Sequence, residues 1–152
     1  MTGPVFVDTN VLVYRHDTSD IAKQTLADAW HRLLWRRRLG RLSIQVLQEF
    51  CATLKQGSGP SLDPAAARDI VANYLQWEPV RIDAGVLRRA WEVEERFRLS
   101  WWDALIVASA QASECPILLT EDLQHGQDLN GVRAVDPFAA PQLSSQEVLE
   151  QP

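Results

Sequence analysis

The chain has little of what marks several common protein classes. Its two cysteines, Cys51 and Cys115, sit in apolar stretches without metal-type spacing. They read as small buried hydrophobes of a reducing compartment rather than as a disulfide frame or a zinc site. Gly and Pro number 7 and 8 of 152 residues, too few for a collagenous or low-complexity chain. No apolar run approaches the roughly 20 residues that span a bilayer, and the start lacks a basic-then-apolar signal segment. A cytoplasmic protein with no membrane partner is expected. The three histidines are scattered and suggest no Ser-His-Asp or Cys-His arrangement; His125, in the segment LQHG, suits a turn. There is no basic excess either, and a formal net charge of −5 argues against a nucleic-acid partner on bulk electrostatics.

What is present is unevenly spread. Arg32, Arg36, Arg37, Arg38 and Arg41 cluster, and Arg88, Arg89, Arg96 and Arg98 form a second group. Each group fits a solvated helix face or a surface for RNA or a protein partner. A length of 152 residues suits one domain with a real core. Apolar runs alternate between strand and helix patterns. Strands are expected over Pro4 to Val7, Leu42 to Ile44, Pro79 to Ile82, Pro116 to Leu119 and Val132 to Val135. Helices are expected over Asn10 to Tyr14, Asp20 to Leu39 with Gly40 as its stop, and Gln45 to Gln56 up to the Gly57-Ser58-Gly59-Pro60 break. Asp63-Pro64 opens a helix over Ala65 to Leu75, and further helices follow at Ala84 to Phe97 and Trp102 to Ala112. The alternation implies an α/β fold with a mainly parallel sheet covered on both faces. From Pro137 the chain turns Pro-, Gln- and Ser-rich, so a domain over 1–138 and a frayed tail over 139–152 are expected.

Four carboxylates stand where apolar runs give way to turns or helix starts. Asp8 ends PVFVD, Glu49 lies in LQEF, Asp103 in SWWDALIVASA and Asp122 in ILLTED. Each has a structural alternative. Asp8 suits an N-cap, and Ser100 to Asp103 matches a capping box. Glu49 suits a helix surface, and Asp122 suits a turn beginning at Thr120. Taken together they invite one explanation, because desolvated, unpaired acids cost stability. Sites in open parallel sheets form outside the carboxyl ends of the strands, where all four acids can meet. A shared divalent cation is the chemistry that such convergence serves.

The segments VFVDTNVLVY, QVLQEF, WWDALIVASA and LLTEDLQHG resemble, in order and spacing, the four signature regions of PIN-domain nucleases. More narrowly they resemble VapC-type toxins of toxin–antitoxin pairs, over about Val5 to Phe138. The resemblance implies a Rossmann-like three-layer α/β/α sandwich and a metal-dependent endoribonuclease that hydrolyses RNA phosphodiesters with Mg²⁺ or Mn²⁺. It assigns Asp8, Glu49, Asp103 and Asp122 as metal ligands and catalytic acids, with Asn10 and Thr120 supporting them. Many relatives carry a further Asp where this chain has Gln124, and Glu121 is the candidate to compensate. The resemblance also implies a homodimer and a small VapB-type antitoxin lying in a groove formed partly by Asp20 to Leu39, where Trp30, Leu34 and Trp35 suit apolar anchors.

Other features stay open at this level. Trp101 and Trp102, beside Asp103, are placed to stack a splayed RNA base, with at least one of them expected in the core. Trp30, Trp35, Trp77 and Trp91 suit a core or an oligomer surface. Arg81 and the two arginine groups are candidates to offset repulsion of RNA from an acidic cleft. A non-catalytic RNA- or protein-binding PIN module is the main alternative function. A haloacid-dehalogenase-like phosphatase is the lesser one, since that chemistry wants a second Asp where Asn10 stands.

Overall fold

The computed structural model of the chain describes residues 3–55, 62–139 and 144–151. Its centre is a four-stranded parallel sheet in the order β2-β1-β3-β4, formed by β1 (Val5–Val7), β2 (Gly40–Arg41), β3 (Ile117–Leu119) and β4 (Arg133–Val135). β1 and β3 are buried at every position, as apolar runs in a sheet covered on both faces must be. They pair in register from Val5↔Ile117 to Val7↔Leu119, and β4 continues with Leu119↔Val135. The helices are α1 (Thr9–Arg15), α2 (Ile21–Arg37), α3 (Ile44–Lys55), α4 (Pro64–Tyr74), α5 (Ala84–Phe97), α6 (Trp101–Ala112) and α7 (Ser145–Glu150). The expected three-layer α/β/α sandwich is therefore found. No helix of the described residues is long and apolar enough to cross a membrane.

The differences from expectation have local causes. Helix α2 stops at Arg38, which takes a left-handed φ of 57°, and not at Gly40. Gly40 instead lies in β2, where a Cβ would stand 2.6 Å from the Trp77 indole. The glycine is needed for close approach and not for a turn. The strand expected over Pro79 to Ile82 shrinks to one bridge, Ser43↔Val80. Its backbone is used by Leu42 O and Ile44 N, and Asp83 at once caps α5 by accepting from Val86 N. The Gly57 to Pro60 break lies outside the described residues.

The tail expected to be frayed contains α7. Ser144 and Glu147 form a reciprocal capping box, and Val148 and Leu149 are buried. Two apolar side chains on one short helix provide the docking face that composition alone concealed.

Candidate active site

The carboxyl ends of β1 and β3 lie side by side, and the chain leaves both at hydrogen-bonded positions. Asp8 N donates to Leu119 O at 3.0 Å, and Thr120 N donates to Val135 O at 3.1 Å. This register brings Asp8 and Thr120 together although 112 residues separate them. The Thr120 hydroxyl donates to Asp8 Oδ2 at 2.9 Å. Asp8 Oδ1 accepts from Thr9 N at 2.7 Å as α1 begins, so the residue both caps its helix and faces the cleft.

Asp122 follows from the same turn. Its backbone N–H donates to Thr120 Oγ1 at 3.1 Å, and its carboxylate accepts from Asn10 Nδ2 at 3.1 Å. The Asn10 amide group also reaches Thr120 Oγ1 at 3.4 Å and Asp8 Oδ2 at 3.5 Å. Glu49 arrives from α3, where Ser43 Oγ accepts from Val46 N and steadies the helix start. One Glu49 oxygen accepts from Thr9 Oγ1 at 2.9 Å and the other from Gln45 Nε2 at 3.0 Å.

Asp103 lies in the first turn of α6. Ser100 Oγ accepts from Asp103 N at 3.2 Å, but the reciprocal bond of a full capping box is not made. The carboxylate is half-buried and feels Asp122 and Glu49 electrostatically. Asp8, Asn10, Glu49, Glu121 and Asp122 line one open cavity of about 580 Å³, and Asp103 stands outside its lining.

The cluster behaves as a set of crowded acids. Burial raises the Asp8 carboxyl to about 7; the Thr120 hydroxyl and Thr9 amide oppose this, and the charges of Asp122 and Glu49 reinforce it. Burial likewise raises Asp103, opposed by the Ser100 hydroxyl and reinforced by Asp122 and Glu49. None of the four acids forms an ion pair among the described residues.

The donor set suits a hard divalent cation, which prefers carboxylate oxygens. A second observation agrees: Asn10 Oδ1 is buried and has no hydrogen-bond partner, an acceptor that an ion or its water would satisfy. Among the described residues, no three Asp, Glu, His or Cys side chains are arranged to hold one ion directly. Few protein ligands supplemented by retained water is the mode that Mg²⁺ tolerates.

Glu121 does not join the four acids as a fifth. Both of its oxygens are engaged, Oε1 by the Tyr14 hydroxyl and Oε2 by Lys23 Nζ, each at 2.8 Å. Sequence reasoning passed over Thr9, Gln45, Tyr14 and Lys23. A signal existed for two of them: Thr9 follows Asp8 directly, and Gln45 precedes Glu49 by one helical turn. Lys23 offered none.

The surroundings correct other expectations. Trp30 and Leu34 are in the core and are not open anchor sites; Trp35 is half-buried, packs against Tyr74 and Trp77, and lines a separate cavity with His31 and Tyr74. The apolar part of the cleft is lined instead by Val13, Tyr14 and Ala52, because α1 and α3 flank the strand ends. Trp101 packs against the core while Trp102 is 64% exposed. Trp77 is buried and Trp91 exposed. Arg36 to Arg38, Arg81, Arg88, Arg89, Arg96 and Arg98 are exposed and do not line the acidic cavity. His125 has the turn role expected of it, its Nδ1 accepting from Asp136 N at 3.1 Å.

Fold and site together define a Rossmann-like α/β domain with carboxylates gathered at the carboxyl edge of its sheet. The family model described as the PIN domain matches residues 5–127, and the chain belongs to that family. Among solved structures it is similar to a toxin–antitoxin complex from Klebsiella pneumoniae, at 19% identity and a TM-score of 0.61, covering 88% of this chain and 97% of that one. It is also similar to DNA-bound VapBC from Salmonella typhimurium, at 15% identity and a TM-score of 0.63 over 90% and 99% of the two chains. A third is the sarcin–ricin-loop-cleaving VapC toxin of Mycobacterium tuberculosis, at 21% identity and a TM-score of 0.56 over 75% and 86%. Identities this low establish shared fold. No match is found among curated proteins.

Proposed function

We propose that this PIN domain is a metal-dependent endoribonuclease, the toxin of a VapBC-type pair, with Mg²⁺ or Mn²⁺ held by Asp8, Glu49, Asp103 and Asp122, in part through retained water. The observation that carries this reading is the convergence of Asp8, Glu49 and Asp122 on one open cavity at the carboxyl edge of the sheet. Among the described residues none of them has an ion pair, and Asn10 Oδ1 is left without a partner beside them. A protein that gathers unpaired acids carries a standing cost unless a positive ligand offsets it. The three similar structures support the toxin reading, since each is a toxin or a toxin–antitoxin complex.

When bound, a divalent cation would make an attacking water more acidic and stabilise charge on a phosphodiester. The chain's own groups supply the positioning. Thr120 and the Thr9 amide hold the Asp8 carboxylate in one orientation. Asn10 bridges Asp8 to Asp122, and Thr9 with Gln45 fixes both oxygens of Glu49. Such supporting bonds hold ligands close to their working geometry before a cation arrives. Exposed Trp102, next to Asp103, is positioned to stack a base of single-stranded RNA. A VapB-type antitoxin in the groove between α1 and α3, and a homodimer, complete the proposal.

The test is induced expression of the chain and of Asp8→Asn with mapping of RNA 5′ ends. New 5′ ends are expected with the parent and not with the variant. Cleavage that survives the substitution refutes the mechanism, and absence of cleavage in both favours a non-catalytic module.

A further inference from the structure

Lys23 stands beside the acidic cleft with a complete set of partners. It projects from α2, 98 residues from Glu121 in sequence, and donates to Glu121 Oε2 at 2.8 Å and to the Tyr14 hydroxyl at 3.1 Å. Its ammonium also lies 4.4 Å from the Tyr14 ring centroid and 5.1 Å from that of Phe138. Those two rings meet edge to face at 5.1 Å. Tyr14 in turn donates to Glu121 Oε1 at 2.8 Å. Tyr14 from α1 and Lys23 from α2 therefore close around the Glu121 carboxylate of the turn after β3, backed by Phe138 from the segment after β4.

That carboxylate is adjacent to Asp122 in sequence and lines the same cavity as Asp8 and Glu49. Left alone, it would add a further free negative charge to a cleft already lined by Asp8, Asp17, Glu49 and Asp122. An ammonium over two aromatic faces, with a carboxylate and a phenol as partners, is better fixed than a lysine with one exposed ion pair.

We infer that Lys23 is a positioning residue that holds Glu121 out of the cation site, limiting the site to four carboxylates and fixing the turn that carries Asp122. The inference rests on the metal-site reading proposed above. Its functional sense is electrostatic. A further free carboxylate would tighten a divalent cation and at the same time repel the phosphates of an RNA strand.

The experiment measures Mn²⁺ binding by titration calorimetry to four purified full-length proteins: parent, Lys23→Met, Lys23→Met with Glu121→Gln, and Glu121→Gln alone. Lys23→Met frees the carboxylate and is expected to tighten Mn²⁺ about tenfold, the scale of one added charge near a divalent ion at a partly exposed site. Removing the Glu121 charge in that background is expected to restore the parent value. Glu121→Gln alone leaves the Lys23 ammonium unpaired beside the cleft and is expected to weaken Mn²⁺ severalfold through charge alone. Unchanged or weaker binding by a folded Lys23→Met overturns the inference, as does a double variant that binds as tightly as the single one. If Lys23→Met does not fold, Lys23→Gln takes its place in both the single and the double variant, and unchanged or weaker Mn²⁺ binding by the single variant overturns the inference. Asp8→Asn separates the two readings. If it binds Mn²⁺ like the parent, the metal site itself is refuted; if it loses binding while Lys23→Met leaves affinity unchanged, only the Lys23 inference fails.

Discussion

The buried acid at the end of β1 makes stability of the cation-free protein depend on pH in an unusual direction. Asp8 moves from an ordinary 3.8 to about 7 on folding, so the folded chain binds its proton more tightly than the unfolded chain does. Stability from this group is present at low pH and is lost as pH rises from about 4 to about 7. A shift of that size corresponds to about 4 kcal/mol. Asp8→Asn deletes the charge and keeps an acceptor for Thr9 N, but it forces the Thr120 hydroxyl to reorient, at about 1–2 kcal/mol. The net gain at pH 8 is therefore about 2 kcal/mol, or about 4–8 °C in Tm for a domain of this length. The assay is calorimetric melting of chelator-treated parent and variant at pH 5 and pH 8. The variant is expected to melt higher than the parent at pH 8, with the advantage shrinking or reversing at pH 5. Adding Mn²⁺ at pH 8 should raise the parent above its chelated value and the variant much less. A variant destabilised equally at both pH values would refute the argument, because Asp8 would then be a structural cap without a charge penalty.

Thr120→Val removes the hydroxyl that donates to Asp8 and lowers its carboxyl. The alkaline shift of the acid limb of the RNA-cleavage pH profile checks this, and an unmoved profile counts against Asp8 as the titrating group. Gly40→Ala places a methyl group 2.6 Å from the Trp77 ring and is expected to cost about 1–3 kcal/mol in urea unfolding; a neutral result means that the ring can give way.

Much of the fold was legible because its signals are local. Apolar runs such as VFV and ILL admit few states other than buried strands, and Asp63-Pro64 and Ser100 mark helix starts through backbone geometry. The C-terminal helix was hidden because its support is a docking face supplied by residues distant in sequence. The strand around Val80 was overread for the complementary reason: β-propensity was present, but only one neighbour came within pairing distance. Glu121 illustrates the limit at the site. Its spacing made it a candidate to replace an acid missing at Gln124, yet Lys23 and Tyr14 occupy both oxygens.

By itself, then, the sequence determined the alternation of elements and the carboxyl-edge location of the candidate acids, of which Asp8, Glu49 and Asp122 line one cavity, since strand ends and helix starts are written locally. Only the tertiary structure decided how those acids are oriented and charged. Register between β1 and β3 puts Thr120 against Asp8, Asn10 ties Asp8 to Asp122, and Lys23 takes Glu121 away. Hydrogen bonding and desolvation depend on distances across the fold, and no spacing along the chain encodes them.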